Sequence, residues 1–165
     1  MKKNDLTLLQ NIIKQTKLAL NNEVHIGVPK DVGEYKNGQK IVEVGIRHEY
    51  GLGVPRRSFL RMPFIVKQAE INKQINISWE KIISGKSTAI KELGELGVLG
   101  QNISKEAFAT GGFGKWEKLS PITINGGWIR HKNGKSFKIN GKGSNEILID
   151  KAKLVQSVTN WVVAK

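Results

Sequence analysis

Between Leu6 and Leu20 apolar residues return at helical spacing. Leu6, Leu9, Ile13 and Leu20 fall on one side, with Lys14 and Lys17 on the other. This predicts a helix capped by Asn4 or Asp5 and ended by Asn21-Asn22. The period then shortens to two. Val24, Ile26 and Val28 alternate with other residues, and after Pro29 to Gln39 the alternation returns in Val42, Val44 and Ile46. Gly33 and Asn37-Gly38 are turn residues, so the pattern predicts two strands joined as a hairpin by the long loop 29–40. A second loop, Arg47 to Ser58, is punctuated by Gly51, Gly53 and Pro55.

Pro63 suits the first turn of a helix, where its missing N–H is not needed. Phe64, Ile71, Ile75, Trp79 and Ile82 then form one apolar stripe, and Ser84-Gly85 breaks it. Ser87 is the expected cap of a second long helix, from about Thr88 to Ala109, with Leu93, Leu96, Ile103 and Ala107 on one side. Gly94, Gly97 and Gly100 lie inside it, each costing roughly 1 kcal/mol of helix propensity relative to Ala. They mark either a break or a close approach of another backbone. The unbroken apolar spacing favours close packing.

From Thr110 the chain becomes Gly-rich: eight of its 18 glycines lie in 110–143, which predicts a loop-rich arm over about 110–146. Asn133-Gly134 predicts a two-residue hairpin pairing Trp128 with Ile139. Its flanks are basic and half apolar, so it should be exposed or docked on a partner. Ile147 to Ile149 reads as a strand, Asp150 as the cap of a short helix through Val158, and Trp161 to Val163 as a final apolar segment. The expected fold is α+β in a single domain, 1–165: a small antiparallel sheet packed with an N-terminal helix and two longer central helices, joined by long loops.

The chain has 165 residues, enough for a hydrophobic core, and no cysteine, which excludes disulfides, thiolate zinc sites and cysteine nucleophiles. No apolar run is long enough to span a bilayer, and no secretory stretch is evident, so a soluble protein made in a reducing compartment is expected. The net charge of +13 climbs along the chain, from +2 over 1–50 to +4 over 51–110 and +7 over 111–165. Such an imbalance favours anionic partners, although a solvated Lys-rich surface carries the same sum.

Tests for chemistry return little. Ser84-Gly85-Lys86-Ser87-Thr88 looks like the end of a phosphate-binding loop, but position 80 is Glu instead of Gly and the preceding stretch is helical. Gly94, Gly97 and Gly100 lack a dinucleotide spacing. His48-Glu49 begins like a zinc-protease motif, yet position 52 is Leu. His25, His48 and His131 share no ligand spacing, no Ser sits in a nucleophile elbow, and Glu92 with Glu95 reads as the solvated side of a helix. No catalytic, metal or cofactor residues are assigned, and no enzyme is expected. A nucleic-acid surface has some support, because Arg130, Lys132, Lys135, Lys138 and Lys142 interleave with Trp128 and Phe137. The same residues describe a basic, Gly-rich arm that orders only in an assembly, and this is the favoured reading.

Three segments, in order, carry a resemblance. Val42 to Gly51 reads as a strand running into His48-Glu49-Tyr50-Gly51. Val54-Pro55-Arg56-Arg57-Ser58-Phe59-Leu60-Arg61 leads into a helix. Ile147-Leu148-Ile149-Asp150 is followed by Leu154 and Gln156-Ser157-Val158, and Leu119 to Thr123 adds a weaker fourth. Together they resemble the tailed-bacteriophage virion morphogenesis proteins, the neck or tail-completion components. Lys151-Ala152 departs from the family's Thr-Gly, and the Gly-rich stretch near 126–143 is longer than that pattern. The resemblance implies a non-enzymatic virion subunit at the head–tail junction, assembled in the host bacterial cytoplasm as a six- or twelve-fold ring around the DNA channel. Its implied neighbours are connector proteins and tail-tube or tail-terminator proteins, with DNA as a further candidate contact and no membrane. His48, Glu49, Arg56, Arg57, Phe59 and Arg61 become subunit-interface candidates. Phe59 and Leu60 would anchor the loop, leaving the three arginines to project, unless one pairs internally with Glu43 or Glu49. The alternative is a basic nucleic-acid-binding protein using 115–142.

Overall fold

The computed structural model describes residues 3–131, 133–145 and 152–165. It is an α+β fold. In chain order come α1 (Lys3–Leu20), β1 (Asn22–Gly27), α2 (Ile41–Tyr50), α3 (Arg61–Val66), α4 (Gln68–Ile83), α5 (Ala89–Ala109), α6 (Pro121–Asn125), β2 (Gly126–Arg130), β3 (Ser136–Asn140), α7 (Lys153–Ser157) and β4 (Thr159–Ala164).

Helix α5 is the axis against which α1, α3, α4 and the terminal strands pack, while α2 packs on α7 and α6 on the β2–β3 hairpin. The antiparallel ribbon β1–β4, running from Asn22 opposite Ala164 to Gly27 opposite Thr159, lies across α5. Two of the three α5 glycines make that contact. A Cβ at Gly97 would overlap Asn160, and one at Gly100 would stand 2.8 Å from Ile26, whereas Gly94 meets nothing within 4 Å. Asn160 also donates to Gln101 at 2.7 Å. The main core joins Ile41, Phe59, Ala107, Phe108, Trp116, Leu154 and Val158. Phe59 and Phe108 ring centres lie 5.0 Å apart, and Trp116 meets Phe108 edge-on. A smaller cluster of Ala19, Ile82 and Ala89 ties α1, α4 and α5.

Several expectations are corrected. Residues 41–50 form a helix, so there is no hairpin between 24–28 and 42–46; β1 pairs instead with β4. Ile41, Gly45 and Glu49 are buried at four-residue steps, and Gly45 leaves room for Phe59 and Leu154. The alternation of Val42, Val44 and Ile46 is a coincidence of the same ten residues. Gly51, at φ 75°, ends the helix and donates to the Arg47 carbonyl.

The first helix already includes Asn4 and Asp5, so neither precedes it as a cap. Its apolar stripe faces outward: Leu6, Leu9, Ile13 and Leu20 are all about half exposed, while Ala19 is buried. Thr88, not Ser87, precedes α5, and Gln15 of α1 accepts the Ala89 N–H at 2.9 Å. Pro63 does sit in a first helical turn, but the single helix expected from there to Ile82 is two, α3 and α4, interrupted at Lys67.

The hairpin β2–β3 forms, but Trp128 opposes Lys138 and Ile139 opposes Gly127. The register differs because the strands close at His131 and Lys135 (N–H to carbonyl, 2.8 Å), around Gly134 at φ 82°, giving a longer loop than two residues. The strand expected at Ile147 to Ile149 and the cap at Asp150 lie outside the described residues. No described helix is long and apolar enough to cross a membrane.

Candidate functional site

The segment 47–61 is organised by one carboxylate. A short helix beginning at Arg61 offers free N–H groups at its start and needs acceptors for them. Glu49, 4% exposed on α2, supplies most. Its Oε2 accepts from the N–H of Phe59 (2.8 Å) and Leu60 (3.0 Å). Its Oε1 accepts from Ser58 Oγ (2.7 Å), Arg61 N (3.2 Å) and Arg61 Nε (3.0 Å). The next N–H, that of Met62, goes to Ser58 Oγ at 3.0 Å, and Pro63 has none to satisfy. Every donor of the α3 first turn is thus accounted for.

Burial alone would push the Glu49 carboxyl up, but the bonds from Ser58, Leu60 and Arg61 outweigh it and hold it below the usual carboxylate range. The segment is fixed from the other side by Ser104, which donates to the Phe59 carbonyl at 2.6 Å, and by Trp116 Nε1, which donates to the Ser58 carbonyl at 3.3 Å.

This placement sorts the interface candidates. Phe59 is buried and anchors the loop as expected, and Glu49 is buried as the internal partner of Arg61; Arg57 is buried as well, so it does not project as expected. Arg61 does both: it binds Glu49, its guanidinium stacks on Tyr50 at 4.4 Å, and its side chain stays 52% exposed. Arg56 is exposed. His48 is half-buried, with its pKa lowered to about 4 by burial and then by the charge of Arg57, against a raising bond to the Pro55 carbonyl. It is neutral at pH 7. Burial likewise lowers the pKa of Arg57, with Glu117 opposing.

The basic-arm candidates separate by face. Trp128, Arg130 and Lys138 share one face of the hairpin, since Trp128 opposes Lys138 and Arg130 opposes Ser136. Trp128 is 69% exposed. Phe137 lies on the opposite face beside His131. Lys135 is exposed next to the turn, Lys142 lines a cleft beyond the hairpin base, and Lys132 lies outside the described residues.

Two features escaped the sequence reading. Ser58 is half of the Glu49 latch, and the clue was a hydroxyl residue shortly before a first-turn proline. Glu92 is 1% exposed, not solvated, with Lys81 Nζ at 3.3 Å. Its position three residues after Ala89, inside the apolar stripe of α5, was the available signal. Among the described residues no group of three or more His, Cys, Asp or Glu side chains could hold a metal ion.

No family model, curated protein or solved structure matches this chain. The site therefore speaks through its own geometry: a stiff, internally latched loop with Arg56 and half of Arg61 on its surface, flanked by exposed apolar side chains.

Proposed function

We propose that this chain is a non-enzymatic structural subunit of a tailed-phage virion, part of a ring at the head–tail junction that joins the head connector to the tail around the DNA channel. The observation that carries the reading is its exposed apolar surface. Leu6, Leu9, Ile13 and Leu20 line one face of α1, Ile46 and Tyr50 share a face of α2, and Leu52 and Ile65 are 57% and 71% exposed. Covering each of these roughly half-exposed side chains is worth about 1 kcal/mol, so this surface favours neighbouring subunits. The ordered motif set supports the choice of neighbours, namely further copies of the chain, connector proteins, and tail-tube or tail-terminator proteins.

Electron microscopy of the intact particle tests the proposal. A ring of this chain between head and tail is the expected result; finding it in the capsid shell, in a tail fibre or outside virions overturns it.

A second reading has one observation of its own. Trp128, with Arg130 and Lys138 on the same hairpin face, forms a stacking surface flanked by cations, suited to nucleic acid. A salt titration separates the two. Strong DNA binding by the isolated chain that falls steeply with salt favours the nucleic-acid reading, and its absence leaves the assembly role ahead.

A further inference from the structure

A cleft of about 870 Å³ opens between the loop around Lys36, helix α2 and the base of the β2–β3 hairpin. Its lining includes Lys36, Arg57, Lys142 and Lys153, and among the described residues no aspartate or glutamate. Arg57, at the edge of the latched segment, is only 6% exposed. Among the described residues its guanidinium makes one hydrogen bond, a long one of 3.4 Å from a terminal nitrogen to the Glu117 carbonyl, and its Nε is buried with no partner. No carboxylate among the described residues forms an ion pair with it, and the charge of Glu117 offsets its burial only in part.

An unpaired guanidinium taken out of water is costly, and buried charges are ordinarily paired. Here the backbone holds it in place, since the Arg57 N–H donates to the His48 carbonyl at 2.8 Å and the next residue is tied to Glu49. A cation fixed in advance loses little freedom when a ligand arrives. We infer that this cleft receives a carboxylate-bearing segment of another polypeptide, with the carboxylate forked onto Arg57 and the exposed Lys36 at the rim.

A peptide fits better than DNA. A guanidinium this deep is out of reach of duplex phosphates, whereas a Glu side chain on an extended segment can enter. The carboxamides of Asn37, Gln39 and Asn140 on the walls match peptide N–H and C=O groups. The inference deepens the assembly proposal and rests on it only for the source of the peptide, an acidic tail or loop of a neighbouring subunit.

The test uses the full chain and a fluorescein-labelled octapeptide with glutamate at alternate positions, followed by anisotropy at physiological salt. One-to-one saturable binding is expected, at least tenfold weaker with the glutamine version of the peptide and with Arg57→Met. The Arg57 Nε–H resonance should move with the same midpoint. Thr123→Trp, which fills the cleft without changing charge, should weaken binding equally and decides the matter if Arg57→Met fails to fold. The hairpin variant Trp128→Ser/Lys138→Ser should bind as the parent does. Unchanged affinity in Arg57→Met or Thr123→Trp overturns the inference, as does a DNA duplex that shifts the Arg57 resonance in place of the peptide. Sedimentation of the chain alone separates the two proposals, because self-association that persists without peptide binding leaves the assembly role standing and this cleft role overturned.

Discussion

Replacing Glu49 by Gln keeps the shape of the latch and removes its charge. Five donors converge on the two carboxylate oxygens. The amide must turn its NH2 toward one set of them. The cheaper orientation faces the N–H groups of Phe59 and Leu60, leaving two buried donors opposite a third. Hydrogen bonds to a charged acceptor are worth roughly 1.5–3 kcal/mol each, and the loss of two gives about 3–6 kcal/mol. For a chain of this size that corresponds to a fall in Tm of about 10 °C. Thermal unfolding followed by Trp fluorescence measures it. Glu43→Gln, an exposed carboxylate on the same helix, should stay within about 0.5 kcal/mol of the parent.

The latch also sets a pH dependence. The folded-state pKa of Glu49 lies below the ordinary 4.5, so its contribution is fully present above about that pH and is lost as pH falls through the folded value. Glu49→Gln should remove that part of the acid sensitivity. A Tm change under about 2 °C, or an unchanged acid profile, would refute the latch.

Other outcomes follow from neighbouring features. Gly94→Ala should stabilise the chain by up to about 1 kcal/mol through helix propensity, because its side chain meets open space, whereas Gly97→Ala should destabilise it by about 1–3 kcal/mol against Asn160; urea denaturation compares them. His48 should titrate near pH 4 by imidazole NMR, and its contribution to stability should be present above pH 6.5 and lost as pH falls through 4; a midpoint near 6.5 contradicts its burial beside Arg57. Phe59→Ala should cost about 3–5 kcal/mol in the same denaturation assay. Ile13→Asp should leave unfolding of the monomer nearly unchanged and weaken self-association in sedimentation, since Ile13 is 54% exposed.

The long helices α4 and α5 were legible because their apolar spacing persists over many turns, and α1 was legible as an element for the same reason. What α1 buries was not. The contact of Ala19 with Ile82 and Ala89 turns the richer apolar stripe toward solvent, and nothing in the local pattern distinguishes a core face from a docking face. Residues 41–50 carry both periods at once. Packing of Gly45 against Phe59 and Leu154 decides for helix, which a short window cannot reveal. Strand β1 was visible, but its partner β4 lies at the far end of the chain, and alternation names no partner. For the site, the motif residues were found and several roles misplaced. Glu49 and Arg57 look like surface charges in a loop-rich stretch until the free donors at the start of α3 draw the carboxylate inward.

The central claim is the place of this chain in a particle, and a symmetry-resolved reconstruction of the neck of an intact virion tests it most directly. The account predicts a closed ring of this fold between head connector and tail, with the α1 stripe or the Ile46–Tyr50 face covered by neighbours. A reconstruction that places the chain elsewhere in the particle, or virions that lack it, would contradict the account.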